Sequence, residues 1–311
     1  MEVYLKTICV IGSINMDLFT MINKMPKMGE TIFGESYFLS PGGKGANQAV
    51  ATARLEILTR LIGKVGADFY GSQLVKALNE NGVDTTYVKA VEGISTGFAN
   101  IYVDKDGNNQ ITVIPGANSE LKPKDIDEAK EAIQSAKAVV CQLEIPLETA
   151  KYALMMAKKA GVMTLLNPTP TIAFEDEILD YTDILIPNEI ELKQIMKLKQ
   201  SPDDHEVQAF MKKHRLMLLI TTLGEKGCCV YTQTSVVHYP AKKVKVVNTT
   251  AAGDAFIGGF VTAYSLDKNI ELAINMAQEV AALTVTKNGS ITSLPYLNDL
   301  KILANNLGKE G

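Results

Sequence analysis

Tryptophan is absent from the 311 residues, and only three histidines and four cysteines are present. His205, His214 and His238 are scattered, which argues against a histidine metal site. Cys9, Cys141, Cys228 and Cys229 lie in or beside apolar, strand-like runs with no metal-ligand spacing. They read as reduced core thiols of a cytoplasmic protein. No apolar run approaches the roughly 20 residues that span a bilayer. Met1 to Asp17 reads as a short buried strand rather than a signal peptide. Positive charge is not in excess either. A net charge of −4 gives no electrostatic reason to expect nucleic acid or an acidic membrane as partner. What is plentiful is apolar residues, 46% of the chain, enough for a substantial core in one large α/β domain or two ordinary ones.

Apolar runs and helical spacing alternate along the chain. Strands are predicted over 7–12, 59–63, 138–142, 162–166, 183–186 and 217–222, with helices over 46–56, 69–81, 123–135, 147–160 and 203–213. Residues 253–265 and 270–286 read as a closing helical pair, with a final helix near 295–306. This predicts an α/β fold with a doubly wound, mainly parallel sheet flanked by helices, and one domain over 1–311. Four segments break the alternation. Residues 16–22, 31–39, 97–103 and 110–115 favour extended chain, with a hairpin turn at Asp106-Gly107-Asn108, and together predict a small projecting sheet. Ala99, Ile101, Ile111 and Val113 fall on one of its faces, which then needs a cover unless they are ordinary core.

Two loops that run into helices carry the chemistry. In Asn248-Thr249-Thr250-Ala251-Ala252-Gly253-Asp254, a carboxylate stands where a helix should begin, after small residues that leave backbone N–H groups free to face a ligand. Such a helix start suits an anion. A carboxylate beside it can take a hydroxyl proton while the amides of Ala251, Ala252 and Gly253 hold a phosphoryl group. Taken alone, the segment fits a helix cap better than a base. The second loop, Ser40-Pro41-Gly42-Gly43-Lys44-Gly45-Ala46-Asn47, has neither Walker nor dinucleotide spacing. Asn47 offers a donor and an acceptor to a polyol hydroxyl, and Lys44 could steady negative charge or simply be solvated.

These two segments together resemble the ribokinase-like (PfkB) carbohydrate kinases. Further matches follow in order: GSINMDL at 12–18, PKMGET at 26–31, STGFANIYV at 95–103, GAN at 116–118, QLEIP at 142–146, NPTP at 167–170, PNEIE at 187–191, TTLGEKG at 221–227 and VTKNGSITSLP at 285–295. The resemblance implies transfer of the γ-phosphoryl group of ATP to the 5-hydroxyl of D-ribose, with Asp254 as base. It makes Asn15, Asp17, Gly42, Gly43, Lys44, Asn47 and Glu144 sugar ligands, and Asn188, Thr222, Gly224 and Gln278 nucleotide ligands. Glu191 is implied to assist Mg²⁺, bound mainly through phosphates and water. The small sheet is implied to lid the sugar site and to join its counterpart in a homodimer.

One departure stands out. The family usually has aspartate where this chain has Asn248, in a K⁺ site that also involves Thr284, Gly289 and Ser293. Asn keeps a carbonyl oxygen but loses the charge, so weakened K⁺ activation is expected. Another acceptor, such as deoxyribose or a nucleoside, and a sugar-binding protein without catalysis remain as alternatives.

Overall fold

The computed structural model describes residues 7–105 and 109–301. Thirteen strands are present among them: β1 (Thr7–Ile11), β2 (Asn15–Ile22), β3 (Ser36–Gly42), β4 (Leu58–Gly66), β5 (Val83–Val91), β6 (Gly97–Asp104), β7 (Asn109–Ile114), β8 (Ala138–Gln142), β9 (Met163–Asn167), β10 (Ile184–Leu185), β11 (Leu218–Thr222), β12 (Cys228–Tyr231) and β13 (Val236–Tyr239). The α-helices are α1 (Lys44–Ala53), α2 (Phe69–Glu80), α3 (Pro123–Glu128), α4 (Lys130–Gln134), α5 (Leu147–Lys159), α6 (Glu189–Ile195), α7 (Asp204–His214), α8 (Ala252–Asp267) and α9 (Ile270–Thr284).

Nine strands form one sheet in the order β13-β12-β11-β10-β9-β8-β1-β4-β5. Pairing is parallel from β5 through to β11, and the β11–β12 and β12–β13 pairings at one edge are antiparallel. Strand β1 is covered on both faces, as its unbroken apolar run TICVI requires. Ile8 and Val10 point into a core shared with α1, α2, α8 and α9, while Cys9 and Ile11 point into one shared with α3, α4, α5 and α7. The chain winds to one side of β1 through β4 and β5, and to the other through β8 onward. The crevice beyond the carboxyl ends of β1 and β8 is therefore a topological switch point, where ligands of open α/β sheets bind.

The second sheet has the order β3-β2-β6-β7. Its register sets Asp17 opposite Ser40 on β3 and Ala99 on β6. Phe19, Ala99 and Ile101 form a small apolar cluster of their own, with Phe38 stacked on Phe19 at 4.7 Å.

Several predicted elements are corrected. Strand β3 begins at Ser36, so 31–35 are not part of it. The helix predicted over 123–135 is two short ones, because Ala129 leaves helical geometry between them. Beyond residue 295 the described chain holds a 3₁₀ turn at Leu297–Asp299, and 302–306 of that predicted helix lie outside the described residues. The Asp106-Gly107-Asn108 turn also lies outside them. Ala99 and Ile101 are core, whereas Ile111 and Val113 on edge strand β7 are exposed.

Candidate active site

Helix α8 begins at the switch point and is apolar almost all round, so it is buried along most of its length. It packs on α1 closely enough that a Cβ on Gly258 would lie 2.4 Å from that of Ala51. This proximity brings the first turns of two helices together. Asn47 donates to Asp254 Oδ2 at 2.9 Å, and Gln48 donates to Oδ1 at 2.9 Å. Gln48 is itself held by Gln142 at the end of β8, which donates to its Oε1 at 2.7 Å. Both oxygens of the Asp254 carboxylate are thus gripped by neutral amides. Burial pushes its pKa up, and the Lys44 ammonium and these two amides only partly oppose that. A carboxylate raised in this way is better matched to taking a hydroxyl proton.

The backbone just before Asp254 is unusual. Ala251 has φ 61°, in the left-handed region, at a cost of roughly 1–2 kcal/mol for a non-glycine residue. The turn directs the Ala252 N–H to Thr249 O at 3.2 Å. Among the described residues the N–H groups of Gly253 and Asp254 meet no protein acceptor, as expected of a first helical turn. They border a cleft of about 270 Å³, also lined by Lys44, Asn167, Thr169, Asn188, Glu191, Thr222 and Thr249. Free amides, an ammonium and hydroxyls around one opening make an anion cradle.

Asp17 and Glu144 lie near enough to Asp254 for their charges to act on one another. Asn15 accepts from Asn118 Nδ2 at 2.7 Å, and Asn118 Oδ1 in turn receives the Ile14 N–H at 2.9 Å. Gly43 caps α1 with φ 89°, and a Cβ on Gly42 would come within 2.0 Å of Asp17 Oδ2. The double glycine therefore lets the buried Asp17 carboxylate lie against the loop. Burial is the main cause that lifts Asp17 to about 7, with the Ser290 hydroxyl opposing it and the Glu144 and Asp254 carboxylates adding to it. Glu144 accepts from Ser13 Oγ at 2.5 Å and from the Lys44 N–H at 3.4 Å, with Lys44 Nζ 3.9 Å from its other oxygen. Burial works against the Lys44 charge, but Glu144, Asp254, Glu191 and Asp17 outweigh it and hold its pKa above the ordinary value. Two polar atoms of this network are left over: Asn47 Oδ1 and Gln142 Oε1 are buried with no partner among the described residues.

Asn188 and Glu191 form a reciprocal capping box at the start of α6, each accepting the other's N–H at 2.9 Å. Thr169 also donates to Glu191 Oε1. With its oxygens so engaged, Glu191 suits contact with an ion through water rather than direct coordination. No cluster of three His, Cys, Asp or Glu suited to a metal occurs among the described residues. This donor set fits a Mg²⁺ carried by phosphate oxygens and water.

Two predicted nucleotide residues lie apart from the cleft. Gln278 is buried and donates to Tyr239 O at 3.0 Å, tying α9 to the β12–β13 hairpin. Gly224 serves a left-handed position (φ 58°) in the turn after β11 and does not line the cleft, whereas Thr222 does. The segment predicted to hold K⁺ has its polar side chains engaged. Asn248 Oδ1 accepts the Thr250 N–H at 2.8 Å, Thr284 donates to Val280 O at 2.8 Å, and Ser293 donates to Ser290 O at 2.7 Å. Gly289, at φ 100°, turns the same segment. An uncharged, already bonded Asn248 fits a monovalent cation poorly.

Gln48, Ser13, Asn118, Asn167 and Ser290 were not predicted as site residues. For Gln48 a signal existed, because an amide beside Asn47 in the otherwise small and apolar helix GANQAVATA asks for a buried partner.

A buried carboxylate beside an amide-lined anion cradle and a group of buried polar side chains, at the switch point of a parallel sheet, has the form of an α/β enzyme that phosphorylates an alcohol. The chain matches the pfkB family of carbohydrate kinases over residues 5–297 and belongs to it. It is 40% identical to the deoxyribokinase of Salmonella typhi over 296 residues, 93% of this chain and 96% of that one. It is 38% identical to the ribokinase of Haemophilus influenzae, over 93% and 95% of the two chains. Among solved structures, ribokinase from Thermotoga maritima superposes with a TM-score of 0.87 at 34% identity, covering 96% of this chain and 99% of that one. Arabidopsis thaliana ribokinase complexed with ribose and ATP gives 0.85 at 32%, over 94% and 96%. The chain is an ATP-dependent sugar kinase.

Proposed function

We propose that the chain forms one kinase domain that phosphorylates the 5-hydroxyl of a pentose, D-ribose in the first instance, to give ribose 5-phosphate. The observation that carries this reading is the Asp254 carboxylate, buried at the start of α8 between the anion cradle and Asn47. In the reaction O5 bonds to the γ-phosphorus, the bond from that phosphorus to the β–γ bridging oxygen breaks, ADP departs, and the O5 proton passes to Asp254. The Gly253 and Asp254 amides and Lys44 face the charge that spreads over the transferred group. Asn15, Asp17, Glu144 and the unpartnered Asn47 Oδ1 take sugar hydroxyls, with Gly42 and Gly43 allowing close approach. Asn188 and Thr222 line the cleft where the nucleotide's phosphates would lie, and Glu191 would hold Mg²⁺ through water, the ion supplying neutralisation of phosphate charge when bound.

The protein would work in the cytoplasm, as its reduced thiols suggest; no helix among the described residues is long and apolar enough to cross a membrane. Exposed Ile111, Val113 and Ile114 on edge strand β7 support a homodimer through the small sheet. A second acceptor, 2-deoxyribose, is favoured by the 40% identity to a deoxyribokinase. The test is ADP release measured with ribose, 2-deoxyribose and nucleosides. Pentose-dependent ADP release is expected. A chain that binds pentose without turnover, or turns over only nucleosides, would overturn the reading.

A further inference from the structure

Ser290 is fully buried in the segment after α9, far in sequence from the sugar pocket. Its Oγ donates to Asp17 Oδ2 at 2.5 Å, and its N–H donates to Ser40 Oγ at 3.2 Å. Asp17 and Ser40 face each other across β2 and β3, so one C-terminal serine is bonded to both strands that border the pocket. Phosphoryl transfer as described above makes no use of this hydroxyl.

A carboxylate presents two oxygens and about four lone-pair directions. Ser290 takes one direction on Oδ2, and the Gly42 backbone crowds the same atom, since even a Cβ there would lie 2.0 Å away. Oδ1 receives no protein donor among the described residues. A sugar with two adjacent hydroxyls would engage both oxygens of a bare carboxylate. With Oδ2 already satisfied, only one hydroxyl is read, and a sugar that lacks its neighbour leaves no buried acceptor unpaired. It is the unpaired acceptor that normally makes a polar site reject a deoxy analogue.

Resting on the pentose reading above, we infer that Ser290 is a specificity-determining residue. By occupying Asp17 Oδ2 it limits Asp17 to one sugar hydroxyl, so the site accepts a 2-deoxypentose about as readily as the pentose. The test compares kcat/KM for D-ribose and 2-deoxy-D-ribose in the wild-type chain, Ser290→Ala and Ser290→Thr, with thermal melts to confirm folding. The wild-type ratio should lie within about tenfold of unity, far below the 10⁴–10⁵ that a strictly hydroxyl-reading site reaches. At pH 8, where Asp17 is ionised, Ser290→Ala frees Oδ2 and should shift the ratio toward ribose by about tenfold or more, the worth of one hydrogen bond to a charged group. Ser290→Thr keeps the hydroxyl and should keep the wild-type ratio. If Ser290→Ala lowers both sugars in parallel, the serine only fastens the strands and the inference fails while the pentose reading stands. Turnover of neither pentose by the wild-type chain would overturn the pentose reading and this inference with it.

Discussion

Asn47 Nδ2 lies 2.9 Å from Asp254 Oδ2, joining helix starts that are 207 residues apart in the chain. This bond lowers the pKa of a carboxylate that burial raises. Asp254→Asn should therefore lose about 10²–10⁴-fold in turnover, the usual share of a general base, while sugar binding measured by calorimetry changes little. Near-normal turnover would refute the role. In Asn47→Ala the Asp254 pKa rises further, so the acid limb of the kcat profile should move to higher pH. An unmoved limb would mean that another group sets it.

Gly42→Ala tests the close approach of loop and carboxylate. A methyl group 2.0 Å from Asp17 Oδ2 must displace that side chain. A shift of about 1 Å typically costs 10²-fold in kcat/KM, and overpacking costs about 1–3 kcal/mol of stability. Steady-state kinetics with ribose and a denaturant melt measure both, and wild-type values in each would contradict the packing described.

Asp17 burdens the fold at neutral pH. Burial raises it to about 7, so the folded chain holds a proton that the unfolded chain, titrating near 3.9, releases. For a carboxylate raised in this way, stability is greatest below the unfolded value and falls as pH rises from about 4 to about 7. Asp17→Asn, neutral throughout, should melt at least about 2 °C above wild type at pH 8, with the gap closing towards about pH 4. A gap independent of pH would reject burial as its cause.

Potassium should matter little. With Asn248 uncharged and its carbonyl bonded to the Thr250 N–H, turnover should respond weakly to K⁺. Asn248→Asp should restore a response. Strong activation of the wild-type chain at low millimolar K⁺ would show that backbone carbonyls alone suffice.

Much of the main sheet is legible in local pattern, because buried parallel strands such as AVVCQ read as unbroken apolar runs. Strand β5, VDTTYVKAV, is not: it lies at the sheet edge, mostly half-buried, and its mixed composition gives no such run. Asp254 and Asn47 are legible because each opens a helix after small residues. Ser290 is not, since nothing local in Asn288-Gly289-Ser290 points to a partner 273 residues earlier. The bond from Gln278 to Tyr239 O is hidden for a related reason: a polar residue on a buried helix has many possible partners, and here a hairpin carbonyl takes one of its donors.

The outer half of the small sheet owns its grease: Phe19, Ala99 and Ile101, with Phe38 against them, form a nucleus separate from the two larger ones. Those contacts lie within the small sheet itself, so that part of it is packed without help from either large core. By contrast, the Ser290–Asp17 bond fastens strand β2 to the segment after α9.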